Sequence, residues 1–436
     1  MRVAAVDMGA TSIRVAVVDL AAELPRVEIV HRWFHAPETR TDGSVRWRWN
    51  DLLVNVRAGL DRALATGPLD SIGIDGWGVD YGLVGEDGRL LSDPHSYRSP
   101  RTAGWRDVTR KLGEAELYRR TGIQLMPINT IFQLAVHDRD ELRSARRLVM
   151  LPELVAYELT GELASERSNA GTTGLLDLES GAWAPDLAAA VGVAADILPP
   201  VEPAGRLLGD YRGTPVSLSA AHDTACAFVA SRLDSERRAF VSAGTWFLVG
   251  VERPSADVSD TARRANFSNE RGATGGFRFL KNVTGFWLLE RCAQLWRTTA
   301  LELLERAARA PGGVPLFDVN DERLRAPEDM DESVRAVAGL KPDADQAVVS
   351  RSIVESVAAA VARVIAELTA IVEIDELVIV GGGAASPLVR ASLSEQANLP
   401  VIKGEVEATA LGNALVQGIA LGRFADLADA RVWLGS

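Results

Sequence analysis

Cysteine is almost absent from this 436-residue chain: Cys226 and Cys292 are the only two, too few and too far apart for a disulfide framework or a cysteine-ligated zinc site. Histidine is scarce as well. The five present (His31, His35, His95, His137 and His222) form no HExxH pattern and no metal-ligand spacing. Positive charge is in deficit, since 47 Lys+Arg against 59 Asp+Glu leave a net −12. That balance speaks against a general nucleic-acid binder, which needs concentrated positive charge to displace counterions. Against it, Arg46-Trp47-Arg48-Trp49-Asn50 predicts an edge strand with alternating faces rather than a nucleic-acid patch. No apolar run reaches the length of about 18 residues that a membrane helix needs; Arg363 and Glu367 interrupt the best candidate. Asp7 stands where a signal peptide would need its apolar stretch. A reducing, cytoplasmic setting is expected, with neither membrane nor nucleic acid as partner.

What is present is ordinary globular material, 47% hydrophobic and 24% charged. At about 150 residues per domain the length favours two or three domains. Val3–Asp7 and Ile13–Leu20 read as apolar strands around a small-residue turn, and a helix is predicted over about Asp51–Ala65 from apolar residues at helical spacing. Ser71–Asp75 is a further buried strand, and this alternation argues for α/β layers. Tyr118–Leu163 looks mostly helical, with a break at Met126–Asn129. After the turn-rich stretch near Pro199-Pro200 and Pro203, Arg238–Glu252 repeats in outline the strand–turn–strand of residues 3–20. A long helix over Ala347–Ile371, a strand over Glu376–Val380 and a helix over Pro387–Gln396 complete the pattern. A domain boundary near residue 215 follows: residues 1–215 and 216–436.

Turns built of Gly, Ala, Ser and Thr expose backbone N–H groups that can cradle phosphate oxygens. Met8–Ser12 and Ser242–Thr245 are two such turns, and Asp7 beside the first could hold Mg²⁺ directly or through water. Taken alone, either turn is better read as a plain hairpin. Gly381-Gly382-Gly383 after a buried strand allows a flat ligand or phosphate to approach the backbone; a tight packing turn is the other reading. No GxxxxGK[ST] occurs, and Gly76-Trp77-Gly78 lacks the third glycine of a dinucleotide fingerprint. In Ile74-Asp75-Gly76-Trp77-Gly78-Val79-Asp80-Tyr81 two carboxylates could accept sugar hydroxyls while an aromatic ring packs on the sugar's C–H face. His222-Asp223-Thr224 follows the strand Val216–Leu218, and a carboxylate at a strand end is a candidate general base.

These motifs, in this order, resemble the FGGY carbohydrate kinases across essentially the whole chain. The residues that carry the resemblance are DMGATS near the start, IDGWGVDYG, Tyr97–Thr102, Gly122–Thr130, Ser168–Thr173, HDTACA, SAGTW, Leu280–Leu289, VIVGGGAASP and Val406–Asn413. The resemblance implies two actin-like, ribonuclease-H-like α/β domains flanking a cleft. The first, 1–215, would bind sugar, and the second, 216–436, ATP. It implies ATP-dependent phosphorylation of the C1 hydroxyl of a ketose, L-rhamnulose before L-fuculose or L-xylulose, by a monomer or homodimer. Asp223 would be the general base, and Asp75, Gly78, His222, Thr224 and Asn282 would join it around the sugar. Ala10, Thr11, Ser12, Ile13 and Arg14 would lie at the ATP phosphates, with Thr245, Glu290, Gly382 and Gly383 also on the nucleotide and Asp7 assisting Mg²⁺. The chain departs from the family pattern at Ile13, where Gly is usual, at Gly76 for Thr, at Arg271 for Gly and at Glu290 for Gln. A non-catalytic actin-like sensor of sugar or nucleotide is the rival of a different class.

Overall fold

The structure is a computed structural model that describes residues 1–21, 24–231, 233, 237–325 and 327–435. The chain divides into two compact units. The first comprises Met1–Ala230, Arg253–Phe279 and Thr409–Ser436, so it runs past residue 215 and takes in two later segments; the second comprises Ser231–Glu252 and Leu280–Ala408.

The first unit is built on a six-stranded sheet: β1 (Arg2–Met8), β2 (Ser12–Asp19), β3 (Arg26–Phe34), β4 (Ser71–Gly76), β5 (Arg206–Tyr211) and β6 (Thr214–Leu218), in the order β5-β6-β4-β1-β2-β3. β1 runs antiparallel to β2 and parallel to β4, so that Asp7 stands opposite Arg14 on one side and Asp75 on the other. Val3, Ala4, Ala5 and Val6 are fully buried, as a central strand covered on both faces requires. The expected helix forms over Trp49–Ala65, and Gly59 lets it lie directly on Val15 of β2.

Two expectations change here. The strand predicted over residues 46–50 does not form: a two-residue strand ends at Arg46 and the helix starts at Trp49. Trp47 is buried instead, its indole N–H donating to Asp80 at 2.7 Å and its ring 4.6 Å from that of Trp77. Burying so large a side chain with its N–H satisfied outweighs the local alternation. The region 118–163 is helical with its break at Met126–Asn129, but it also holds the strand Arg147–Met150, paired antiparallel with Tyr81–Val84. An apolar run as short as Leu148-Val149-Met150 does not distinguish strand from helix by period.

The last part of this unit comes from a helix, Ala408–Ala420, that sequence periodicity did not reveal. It lies against β4 and the Asp223–Val229 helix so closely that a Cβ on Gly412 would overlap the Cys226 carbonyl, and one on Gly73 would overlap the Asn413 side chain. Gln417 donates to the Ala4 carbonyl at 3.0 Å and to Asn413 at 2.7 Å, and accepts from Ser71.

In the second unit, β7 (Arg238–Ala243), β8 (Trp246–Arg253), β9 (Glu376–Val380) and β10 (Val401–Lys403) neighbour one another in the order β8-β7-β9-β10. β7 is antiparallel to β8 and parallel to β9. The hairpin-plus-parallel-strand arrangement of β1, β2 and β4 thus recurs, as the sequence echo suggested. The helix Gln346–Thr369, capped by Asp345 on the Ala347 amide at 2.7 Å, buries Val349, Ile353, Val357 and Val361. No described helix is long and apolar enough to cross a membrane.

Candidate active site

After β6 the chain turns through Ser219–His222 into the helix that Asp223 begins. The turn is pinned from three sides. Ser219 donates its hydroxyl to the Ile74 carbonyl (2.8 Å), Gly76 its amide to the Ala221 carbonyl (2.9 Å), and Ala221 its amide to the buried Glu166 carboxylate (3.0 Å). Asp223 keeps 27% of its side chain exposed, against 2% for Asp7. Its Oδ1 accepts from the Thr224 amide (2.5 Å) and hydroxyl (3.1 Å) and stands 3.5 Å from His222 Nε2.

Behind His222 lies an ion pair that sequence reading missed. His222 Nδ1 is 3.4 Å from Glu270 Oε2 and 3.2 Å from Arg278 Nη2, and Arg278 Nη1 is 3.1 Å from the same Glu270 oxygen. Glu270 and Arg278 are both buried. Burial pushes the Glu270 carboxyl up, but the Arg278 charge and the His222 and Ser268 hydrogen bonds outweigh it and hold it below the usual range. Burial likewise draws Arg278 down against the attraction of Glu270, Glu166 and Asp223. Nothing in the spacing of 222, 270 and 278 marked them; the departure Asn269-Glu270-Arg271-Gly272 was the nearest signal.

Asp75 is fully buried on β4. Burial and then the neighbouring Asp7 charge push its carboxyl well up, Asp223 adding to the effect, while the Asn413 hydrogen bond at 2.6 Å and Arg14 oppose it. Its second carboxylate in the motif, Asp80, is spent on structure: it accepts from Trp47, from Trp77 (3.1 Å), from Gln133 (3.0 Å) and from the Tyr97 amide (3.2 Å), and burial still pushes it up to about 6. Gly78 faces Thr172, whose hydroxyl accepts from the Val79 amide at 3.2 Å and leaves no room for a Cβ on Gly78. Val79 itself sits at φ 68°, a left-handed conformation costly for a β-branched residue. Thr130 and Gln133 hold its carbonyl at 2.7 and 3.1 Å.

The first small-residue turn joins β1 to β2. Ala10, Thr11 and Ser12 are half-buried; Ile13 is completely buried, so only its backbone can meet a ligand. Arg14 pairs with Asp7 at 2.5 Å. His35 braces the turn, its Nε2 at 3.0 Å from the Gly9 carbonyl and its amide donating to the Thr11 carbonyl at 3.0 Å. Burial pushes its imidazole down to about 4, the Gly9 contact opposing.

The second unit gathers the other predicted nucleotide residues. Thr245 Oγ1 lies 3.2 Å from Glu290 Oε2, and the Thr245 carbonyl accepts from the Gly285 and Trp287 amides. Of the three glycines after β9, Gly381 (φ 83°) and Gly383 press against Ala243, where a Cβ would crowd it, whereas Gly382 faces open space. Close packing accounts for two of the glycines; a ligand has room at the third. Asn282 is half-buried on the strand Phe277–Thr284.

Among the described residues no three His, Cys, Asp or Glu side chains gather to hold a metal ion by themselves. The oxygen donors around Asp7 do suit a hard cation that takes its remaining ligands from phosphate and water: the Asp7 and Asp223 charges raise the cost of ionising Asp75, with Arg14 offsetting part of it, and Asp75 Oδ1 is buried with no hydrogen-bond partner among the described residues.

Residues 2–227 match the N-terminal domain, and residues 239–421 the C-terminal domain, of the FGGY family of carbohydrate kinases. The chain belongs to that family. Relatives of this FGGY kinase include the "Rhamnulokinase" of Pectobacterium carotovorum subsp. carotovorum, 38% identical with 98% of this chain and 90% of that protein covered, and that of Klebsiella pneumoniae, 36% identical with 98% and 91% covered. The fold is similar to that of a ligand-bound xylulose kinase from Lactobacillus acidophilus (TM-score 0.78, 17% identity, 99% and 92% covered) and of Plasmodium falciparum glycerol kinase with ADP (0.75, 15%, 99% and 92%). The expected two-domain, actin-like α/β class is the fold observed. Asp7, Arg14, Asp75, Gly78, His222, Asp223 and Thr224 belong to one unit of the FGGY kinase, and Asn282, Thr245, Glu290, Gly382 and Gly383 to the other. Beyond Glu270 and Arg278, sequence reading gave no role to Gln417, nor to Asn413 and Thr172, which stand in motifs that carry the family resemblance; their roles depend on which strand or turn they meet.

Proposed function

We propose that this FGGY kinase transfers the γ-phosphoryl group of ATP to the C1 hydroxyl of L-rhamnulose, giving the 1-phosphate, in the cytoplasm. The observation that carries the substrate is the 36–38% identity with proteins named rhamnulokinase over 98% of the chain. Asp223 is the base: it begins a helix, is partly exposed, and is flanked by His222 and Thr224. It takes the hydroxyl proton as the sugar oxygen attacks phosphorus and the bond to the ADP oxygen breaks. Gly78 and Asn282 complete the sugar's surroundings, with Asp75 ordering the sheet beneath. The Ala10–Arg14 turn, Thr245, Glu290 and Gly382 meet the nucleotide; positioning and electrostatics do most of the catalysis in phosphoryl transfer. Mg²⁺, held by Asp7 with phosphate and water, would neutralise phosphate charge. The sugar-binding part is assigned to the first domain and the ATP-binding part to the second.

ADP release measured with L-rhamnulose, L-fuculose and L-xylulose tests the reading. Turnover is expected to be greatest with L-rhamnulose. A preference for another ketose would replace the substrate, and ATP binding without sugar-dependent ADP formation across the panel would remove the kinase reading.

A further inference from the structure

A cavity of about 590 Å³ opens in the first unit, away from the residues assigned above. Its walls come from the Arg167 turn, from Pro203–Gly205, from the loop Gly272–Gly276 and from the helix Ala408–Ala420. Two arginines, Arg167 and Arg271, line it, and their backbones are adjacent: a Cβ on Gly171 would lie 3.3 Å from the Arg167 carbonyl and 3.6 Å from the Arg271 amide. Each guanidinium has its Nε buried with no hydrogen-bond partner among the described residues.

Like charges in one cavity raise each other's cost. Burial draws Arg271 down, the Arg167 charge draws it further, and Asp177 opposes. What Arg271 does have is the Leu178 carbonyl, to which it donates, and the face of Phe277 at 4.5 Å. Of the described lining residues Asp426 alone is acidic, and one of its oxygens already accepts the Asp429 amide at 2.9 Å. In a chain of net charge −12, two arginines lining one cavity with so little acidic company call for an anion from outside. A planar guanidinium offers paired donors matched to phosphate oxygens. The loop beside them adds little bulk: Gly272 donates to the Gly276 carbonyl at 3.1 Å, and Gly275 and Gly276 take φ 117° and 62°. Opposite, Val416, Ile419 and Ala420 supply an apolar wall.

We propose that this cavity binds a phosphate monoester, its dianion on Arg167 and Arg271 and its carbon body against the Val416–Ala420 wall. This inference stands apart from the kinase reading and does not need it. The site also has a route to His222, since Arg278 donates Nε to the Arg271 carbonyl at 3.2 Å and reaches His222 with Nη2.

Calorimetric titration of the full chain, saturated with ADP to fill the nucleotide site, tests it with glycerol 1-phosphate and with inorganic phosphate as probes. The ester is expected to bind saturably and more tightly than inorganic phosphate, and R167Q/R271Q is expected to weaken it at least tenfold while leaving ADP affinity unchanged. No binding to the unaltered chain, or undiminished binding to the double variant, would overturn the proposal; equal affinity for the two probes would overturn the role of the apolar wall. Should the variant fail to fold, phenylglyoxal labelling of the unaltered chain read by mass spectrometry gives the same answer: the ester should shield Arg167 and Arg271 from modification, and labelling at unchanged rates would refute it.

Discussion

At the scale of single residues, the half-buried Asp223 carboxylate and the fully buried pair behind His222 make different demands. A positioned base contributes about 10²–10⁴-fold, so Asp223→Asn is expected to cut kcat by that order while ATP affinity, measured by calorimetry, stays within a few-fold; near-normal turnover would remove Asp223 from the base role. Glu270 is a positioning residue, reaching Asp223 only through His222. Glu270→Gln strands the buried Arg278 charge, and losing one partner of such a pair costs about 3–5 kcal/mol, readable as a lower urea midpoint. Glu270→Gln/Arg278→Met, with no stranded charge, should recover much of that loss. His35 sets an acid limit. Its folded value is depressed from 6.5 to about 4, so its contribution is intact above pH 6.5 and is lost as pH falls through 4. The depression corresponds to about 3 kcal/mol at most. His35→Gln should flatten the fall in melting temperature between pH 6.5 and 4, and an unchanged slope would show that other groups set it. Asp223, His222 and Asp7 were legible from the sequence because short motifs keep such residues next to glycines and strand ends. Glu270, Arg278 and Asn413 were not, since the first two meet His222 and the third meets Asp75 only across 48, 56 and 338 residues, where the fold alone brings them together.

At the scale of elements, legibility followed periodicity. Strands with unbroken apolar runs, such as β1 and β9, and helices with a regular buried face, such as Trp49–Ala65, were found nearly to the residue. The helix Ala408–Ala420 escaped because it buries polar Asn413 and Gln417 alongside its apolar residues, which blurs the pattern. Its fit against the Asp223 helix depends on Gly412. Gly412→Ala puts a methyl group into the Cys226 carbonyl, and overpacking of this kind costs about 1–3 kcal/mol. The strain falls on the helix that begins with Asp223. Lower kcat together with a lower melting temperature is therefore expected, and full activity at unchanged stability would show that the two helices separate without effect.

At the scale of the whole molecule, the first unit is discontinuous: it needs Arg253–Phe279, which brings Glu270 and Arg278, and the segment from Thr409 on, which brings Asn413 and Gln417. A fragment ending at Ala230 would leave Asp75, Gly73 and His222 without those partners. It is expected to lack the cooperative thermal transition of the full chain by circular dichroism, and a sharp transition within a few degrees of the full chain would contradict the division. The boundary near residue 215 came from a change in composition along the chain, which records where turns cluster; it does not record which distant segments pack together. The late-arriving Ala408–Ala420 helix has one more consequence, for biosynthesis. A ribosome making this protein releases the strand that carries Asp75 338 residues ahead of the Asn413 amide that bonds one oxygen of that acid. Until then a growing chain has every reason to keep the acid protonated or in water, and the surroundings of Asp75 are completed only once residue 413 has emerged.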